Sequence, residues 1–160
     1  MQWTEPYYSR SQVRKAGISL VRTEPNSQDF VKSVRVFYNW RASHAFPMQI
    51  MLDFLRKNTL RIDKQALVVQ RLKRGSSIFN KLFREKGMSL ERMEDIAGCR
   101  AVLNKVEDVK RLYNVLKISS TKHTLHRERD YISNPKDSGY RGVHLVYRYN
   151  GSKEAYRDYI

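Results

Sequence analysis

At Ala66-Leu67-Val68-Val69-Gln70-Arg71-Leu72-Lys73, a short apolar, β-branched run gives way to alternating cations. Such a run is typical of a β-strand, here one that ends in positive charge. Before it, apolar side chains recur at helical spacing; after it, short apolar runs alternate with helical patterns. The pattern therefore predicts a helical front followed by a mixed α/β body, with the change near residue 65.

The front is predicted to contain three helices. Ser9 or Ser11 can cap the first helix and Asn26 or Ser27 the second, because a side-chain oxygen at this position accepts a hydrogen bond from the first free N–H groups. Pro47 suits the first turn of the third helix, where its missing N–H costs nothing. The apolar stripes of these helices indicate core packing.

The body is predicted to follow the order β-α-β-α-β-loop-β. Ser76 or Ser77 can cap its first helix. The later elements are a strand over residues 96–103, a helix over 106–118, and strands over 121–131 and 143–149. This order favours a mixed β-sheet flanked by helices. We expect one domain, in which an N-terminal helical segment, residues 1–64, packs on a core formed by residues 65–160.

The composition limits the class of protein. Lys and Arg number 31 against 16 Asp and Glu, so the formal charge is +15, which indicates a polyanionic partner such as RNA, DNA, phosphates or an anionic membrane surface. The lone Cys99 excludes an intramolecular disulfide and fits a reducing cytosol. No apolar run reaches the roughly 18 residues of a membrane span, and the N-terminus lacks a signal-peptide pattern. We expect a cytoplasmic protein with no membrane partner.

Cations surround the turn between the first strand of the body and its helix. Arg71 and Lys73 lie two residues apart and share a strand face, while Ser77 and Lys81 lie four apart and share a helix face. The helix N-terminus between them offers free N–H groups and a dipole that favour anions. The segment therefore predicts a phosphate cradle without the P-loop pattern. The alternative is a set of solvated surface cations.

Asp95 precedes the predicted strand that contains Arg100. A carboxylate at a strand edge beside a phosphate site can hold Mg2+, which takes only one or two protein carboxylates. The two residues differ by five, so an unbroken strand would turn them to opposite faces. Either Gly98 forms a bulge, or Asp95 lies before the strand. A turn aspartate with no metal role is the alternative.

A turn-rich loop, residues 130–144, precedes the last strand and presents Lys136, Tyr140, Arg141 and His144. Its Asn-Pro and Asp-Ser-Gly steps interrupt helices and strands. An exposed aromatic ring among cations can stack on a base while the cations meet its phosphates. The loop therefore predicts a nucleotide-binding element, with an ordinary connection as the alternative.

Together these motifs resemble the synthetase domain of the RelA/SpoT alarmone enzymes, which implies a nucleotidyltransferase-like fold. The three motifs occur in order between residues 71 and 144. The helical front, especially Asn39-Trp40-Arg41-Ala42-Ser43-His44-Ala45-Phe46-Pro47, resembles the small, single-domain toxic branch of that family, which includes CapRel-like fused toxin-antitoxin proteins of phage defence.

The resemblance implies that an ATP pyrophosphotransferase moves pyrophosphate from ATP to a ribose 3′-hydroxyl. By that similarity Arg71 and Arg100 would sandwich the adenine, and Asp95 would be catalytic by binding Mg2+. The ATP phosphates would be held by Lys73, Ser77 and Lys81. The acceptor base would stack on Tyr140, and its phosphates or ribose would be steered by Lys136, Arg141 and His144.

Relatives carry a further strand with a Glu-x-Gln-x-Arg pattern, and this chain stops at Ile160, about where that strand should begin. We therefore expect a truncated chain that is weakly active or inactive by itself. The sequence favours the 3′ end of tRNA as the acceptor, in a toxin that inhibits translation, because +15 exceeds the charge that a small nucleotide requires. The alternatives are an alarmone synthetase acting on GDP or GTP and a catalytically silent RNA-binding fragment. The toxic branch also implies an antitoxin segment or protein.

Overall fold

The computed structural model describes residues 2–160. In chain order its helices and strands are α1 (Arg10–Arg22), α2 (Gln28–Ser43), α3 (Ala45–Ile62), β1 (Leu67–Leu72), α4 (Gly75–Arg84), β2 (Ala97–Val102), α5 (Val106–Ile118), β3 (Thr124–Asp130) and β4 (Val143–Arg148). The predicted order of a helical front followed by β-α-β-α-β-loop-β is confirmed. No helix of the described residues combines the length and the apolar composition needed to cross a membrane.

Side-chain caps begin the first two helices. Ser9 caps α1 in a reciprocal arrangement, because its hydroxyl accepts from the N–H of Gln12 while the Gln12 side chain accepts from the N–H of Ser9. The hydroxyl of Ser27 accepts from the N–H of Phe30 at the start of α2. Of the predicted alternatives, Ser9 is thus confirmed as the cap of the first helix and Ser27 as the cap of the second.

Helix α4 begins differently. The residue before it is Arg74, in extended conformation, and the N–H of Ile78 donates to the Arg74 carbonyl to close the first turn. Ser76 and Ser77 lie inside this turn, so their prediction as caps is wrong. No side chain caps α4 within the described residues. Its first backbone N–H groups are therefore available to an anion.

The four strands form two antiparallel pairs, β1 with β2 and β3 with β4. The α/β fold class, with helices against small sheets, is confirmed. The expected single mixed sheet is not, since no ladder joins the two pairs in residues 2–160 and all pairings are antiparallel. Local sequence patterns predict where the strands lie along the chain, but they do not predict which strands pair with each other.

Helix α3 packs against one face of the β1–β2 sheet, where the Cys99 thiol donates to the Met48 carbonyl over 3.5 Å. Helix α5 packs against α3 and meets the β3–β4 pair through side chains, where the Tyr147 hydroxyl donates to the carbonyl of Leu116. The buried core draws on both the front and the body, from Val13 and Leu20 through Ile78 and Ile96 to Tyr156 and Tyr159. The face of the β1–β2 sheet that points away from α3 is open, and Leu67, Val69 and Val102 are exposed there.

Candidate active site

The open face of the β1–β2 sheet carries two arginines. Arg71 pairs with Gly98, and Arg100 pairs with Val69, so the two arginines occupy diagonal positions on one face. A Cβ added at Gly98, which pairs with Arg71, would meet nothing within 4 Å, so this part of the face is open.

The register also resolves the position of Asp95. The β1–β2 pairing runs without a shift, so Gly98 forms no bulge. Strand β2 begins at Ala97, and Asp95 therefore lies before the strand, as one of the two predicted alternatives required. Because Asp95 lies outside β2, the alternating faces of the strand do not set the direction of its side chain.

Asp95 is held by two lysines from different elements. Lys73, just after β1, places its Nζ 2.6 Å from Oδ2, and Lys81 of α4 places its Nζ 2.9 Å from Oδ1. The lysine side chains are 17% and 21% exposed, whereas Asp95 is 47% exposed. Burial alone would raise the pKa of Asp95, but hydrogen bonds and charge from both lysines lower it overall. We name this arrangement the Lys73–Asp95–Lys81 clasp.

An open pocket of about 440 Å³ lies beside the start of α4. It is lined by Arg71, Leu72, Arg74 and Ser77. The predicted phosphate-binding residues are thus collected around the uncapped α4 N-terminus, in the pocket and in the adjoining clasp. Arg74 was missed by the sequence analysis, although it extends the cationic run that ends β1.

Helix α2 adds a residue that the sequence analysis also missed as part of the site. The Arg41 Nε donates to the backbone carbonyl of Lys73 over 2.6 Å. Arg41 belongs to the segment whose resemblance was noted in the helical front, but no spacing rule connects it to a residue 32 positions away. Its role depends on how α2 packs.

The loop between β3 and β4 is shaped by its own hydrogen bonds. The Asp130 carboxylate accepts from the N–H of Ile132 at 2.8 Å and from both the hydroxyl and the N–H of Ser133. These bonds, led by that of the Ser133 hydroxyl, hold the pKa of Asp130 below its usual value. The N–H of Tyr131 donates to the Gly142 carbonyl and closes the base of the loop.

Three of the predicted acceptor residues meet in this loop. Tyr140 Oη lies 2.8 Å from His144 Nε2, and Lys136 Nζ lies 5.7 Å from the centre of the Tyr140 ring. The same ammonium lies 4.5 Å from the ring centre of Tyr131, a loop residue that was given no role in the sequence analysis. Arg141 is exposed and makes no hydrogen bond or ion pair to any described residue. We call Tyr131, Lys136, Tyr140 and His144 the aromatic cluster.

Charges from the loop and from both sheets act on His144. Burial lowers the pKa of His144, and the charges of Lys136, Arg100 and Arg129 lower it further. Lys136 lies in the same loop, Arg129 in β3, and Arg100 on the open face of the β1–β2 sheet. The lowered pKa favours the neutral His144 ring at neutral pH, and the effect of Arg100 shows that the loop lies near the open face of the β1–β2 sheet.

Asp95 provides a single carboxylate for a metal ion. Residues 2–160 contain no group of three or more His, Cys, Asp or Glu side chains placed to hold one. Mg2+ commonly binds through one or two protein carboxylates, with waters and substrate phosphates completing its shell. Asp95 fits this pattern if bound phosphates draw Lys73 and Lys81 away from it, since both its oxygens are engaged by the clasp.

Comparison with known proteins gives matches in both sequence and structure. The family model described as a region found in RelA / SpoT proteins matches residues 70–157. The chain is 38% identical over 82 residues to the GTP pyrophosphokinase YwaC of Bacillus subtilis and 29% identical over 119 residues to YjbM of the same organism. These alignments cover 48% and 74% of this chain, but only 38% and 48% of the two relatives.

Two solved structures agree with these matches. The small alarmone synthetase 1 from Bacillus subtilis bound to its product pppGpp gives a TM-score of 0.61 at 27% identity, over 70% of this chain. A GTP pyrophosphokinase family protein from Streptococcus pneumoniae gives 0.57 at 28% identity, over 77% of this chain. Each alignment covers 61% of the solved chain, so this chain spans less than two thirds of its structural neighbours.

Proposed function

The chain belongs to the RelA/SpoT family, and from that premise we propose that it is a pyrophosphokinase that makes an alarmone from ATP and GDP or GTP. The acceptor 3′-oxygen attacks the β-phosphorus of ATP. The bond between the β-phosphorus and the bridging oxygen to the α-phosphate breaks, AMP leaves, and the hydroxyl proton is released. Of the acceptors considered, guanine nucleotide has the stronger support, because the relatives are named GTP pyrophosphokinases and one solved neighbour is bound to pppGpp.

One observation carries this proposal: the charge of Arg100, on the open face of the β1–β2 sheet, lowers the pKa of His144 in the aromatic cluster, so the two predicted nucleotide regions lie near each other. A two-substrate transfer needs two nucleotide sites whose reactive ends are close together. Phosphoryl-type transfer depends on positioning and charge neutralisation more than on covalent help from the protein. A strongly cationic cleft with one carboxylate meets that requirement.

The residues of the β1–β2 sheet and of α4 serve ATP in this proposal. Arg71 and Arg100 hold the adenine in the empty space beside Gly98. The phosphates bind the two ammonium groups of the clasp, the Ser77 hydroxyl and the free N–H groups that begin α4. When bound at Asp95, Mg2+ supplies further charge neutralisation and orientation of the phosphates.

The loop after β3 serves the acceptor. Its base stacks on Tyr140, a contact worth about 1–3 kcal/mol for a nucleobase. Lys136 and Arg141 neutralise its phosphates, and the neutral His144 contacts the ribose through its ring nitrogen. The bonds of Asp130 to its own loop keep these side chains in register.

A second candidate acceptor is the 3′ end of tRNA, which would make the protein a toxin of the CapRel-like kind with an antitoxin as its partner. The net charge of +15 favours this candidate, because it exceeds what one small nucleotide neutralises. Exposed cations on β3, such as Arg127 and Arg129, extend the positive surface beyond the loop. An RNA acceptor would use them.

ATP labelled at its γ-phosphate, incubated with GDP, GTP or tRNA, distinguishes the candidates. Label on the guanine nucleotide supports the proposal, and label on tRNA supports the second candidate instead. Absence of transfer together with salt-sensitive tRNA binding would identify a silent RNA-binding fragment and overturn both. Tyr140→Ala is expected to lower acceptor affinity about ten-fold or more with ATP affinity unchanged. Equal loss for ATP would contradict the stacking role.

A further inference from the structure

Arg41 links the helical front to the nucleotide site. It lies in the last turn of α2, outside residues 70–157 that the family model matches. Its Nε donates to the backbone carbonyl of Lys73 at 2.6 Å, and its side chain is half-buried. This is a contact between the two segments at the residue that begins the turn into α4.

Lys73 is thereby fixed at three points. Its N–H donates to the Ile96 carbonyl at 2.8 Å, its carbonyl accepts from Arg41, and its ammonium contacts Asp95 at 2.6 Å. The first bond extends the β1–β2 ladder by one residue, beyond which the backbone turns into α4. The Arg41 bond is therefore the one that orients the carbonyl where the ladder ends.

The packing of α2 against this turn also indicates that the helical front holds the start of α4 in place. A Cβ built on Gly75 would lie 3.4 Å from the Phe37 ring and 3.6 Å from the Tyr38 ring. Helix α2 thus passes so close to the first residue of α4 that a side chain there would contact both rings. Arg41 lies four residues after Phe37 and three after Tyr38, so it lies on the same side of α2 as each of these rings.

We propose that Arg41 is a positioning residue for the phosphate half of the site, which acts through the backbone of Lys73. This inference rests on the proposed function, because it takes the clasp to be a nucleotide phosphate site. Arginine suits the task, since its planar guanidinium holds one direction, whereas a lysine ammonium is a flexible point charge. The segment 1–64 therefore contributes to ligand binding as well as to the core.

A double-mutant cycle with binding as the readout tests the proposal. ATP and GDP affinities are measured by calorimetry for the wild type, Arg41→Met, Lys73→Met and the double variant. We expect Arg41→Met to weaken ATP binding about ten-fold, the equivalent of one buried hydrogen bond, and to leave GDP binding unchanged. The double variant should bind ATP no worse than Lys73→Met, because the two residues act as one unit.

Arg35→Met is the matched control, since it removes the same charge from an exposed position of the same helix. It should alter ATP affinity less than about two-fold. A loss equal to that of Arg41→Met would show a general effect of charge and overturn the proposal. Additive effects of Arg41→Met and Lys73→Met on ATP affinity would also overturn the proposal. The same holds if Arg41→Met weakens ATP and GDP binding equally and lowers the melting temperature.

The outcomes also separate this inference from the proposed function. A wild-type chain that binds no ATP overturns the proposed function and the role of Arg41 together. Wild-type affinity in Arg41→Met beside a clear defect in Lys73→Met overturns the role of Arg41 alone.

Discussion

Among single residues, Asp95 has the most demanding position, because one carboxylate neutralises two ammonium groups that are themselves mostly buried. Without the carboxylate, Lys73 and Lys81 would repel one another across a short gap. The clasp therefore stabilises the empty site and competes with the phosphates that the site is proposed to bind. Nucleotide and divalent cation are expected to favour each other, since phosphates free Asp95 and a cation on Asp95 frees the lysines.

Replacing Asp95 tests this competition. Asp95→Asn should bind ATP about five- to ten-fold more tightly than the wild type when divalent cations are chelated, because two ion pairs no longer have to be broken. The gain in affinity on adding Mg2+ should disappear in the variant. Calorimetry with and without Mg2+ measures both effects.

Asp29→Asn serves as the control, because this carboxylate is exposed on α2 and its loss changes the net charge equally. It should leave both affinities within about two-fold of the wild type. Unchanged or weaker binding of metal-free ATP by Asp95→Asn would contradict the competition described above.

The limits of sequence reasoning are clear at this scale. The spacing of Arg71 and Lys73, and of Ser77 and Lys81, indicates pairs on shared faces because strand and helix periods are fixed by local geometry. Arg41 escapes such reasoning, since its partner lies on a different element 32 residues away. Tyr131 is visible in the sequence, but its contact with Lys136 depends on the path of the loop.

At the scale of elements, the β1–β2 sheet combines a covered face and an open one. The open face carries Leu67, Val69 and Val102, which are 60%, 41% and 50% exposed, beside the two arginines. Such apolar strand residues ordinarily face a core. Their exposure next to a gap at Gly98 fits a face that receives a flat, partly apolar group.

Gly98→Val tests the use of this gap. The new side chain meets no neighbour in the fold, and β-branched residues suit strands, so the free energy of unfolding should stay the same or rise. ATP should bind about ten-fold more weakly, because valine occupies the space assigned to adenine. Inorganic triphosphate, which lacks the base, should bind as it does to the wild type.

Competition binding with both ligands, together with urea unfolding, provides the measurement. Equal weakening of ATP and triphosphate would place the effect at the phosphates instead of the base. Unchanged ATP affinity would exclude adenine from this face.

The elements themselves were largely predictable, and their partners were not. Helix α5 occupies the predicted residues 106–118, because its apolar period and flanking residues agree. The division into two antiparallel pairs was missed, since pairing depends on contacts between segments distant in sequence. The predicted serine caps of α4 were wrong because Arg74 takes the extended conformation that begins the helix.

In the molecule as a whole, the C-terminal segment closes over the helical front. The Tyr159 hydroxyl lies 2.7 Å from the Ser43 hydroxyl, and the Tyr159 ring packs against Trp40 and His44. His44 is 2% exposed, and its Nδ1 lies 2.7 Å from the Trp40 carbonyl. Burial lowers the pKa of His44 to about 4, against the opposite effect of that bond and with help from the charge of Arg10.

Global stability should therefore fall as the solution is acidified. Unfolded His44 takes up a proton near pH 6.5 and folded His44 only near pH 4, so the unfolded state binds more protons between these values. Between pH 6.5 and pH 4, the protein loses the contribution of His44 to the free energy of unfolding, about 3 kcal/mol. It is fully present above pH 6.5.

Urea unfolding at pH 7 and pH 4.5, compared with His44→Gln, isolates this contribution, because other titrating groups act alike in both proteins. The variant should lose less stability on acidification than the wild type. An identical loss in the two would show that His44 does not account for the sensitivity.

The aromatic cluster has a consequence for which acceptors can enter the site. Lys136 lies over the faces of Tyr131 and Tyr140, so the loop covers its own stacking surface with a charge. The phosphates of a nucleotide would attract the Lys136 ammonium, and the Tyr140 ring would then be free to stack on the nucleotide's base. Guanosine alone has no group that can do so. Under the proposed function, the loop would therefore select a phosphorylated acceptor, because the Lys136 ammonium would have to move to the phosphates before a base could stack on Tyr140.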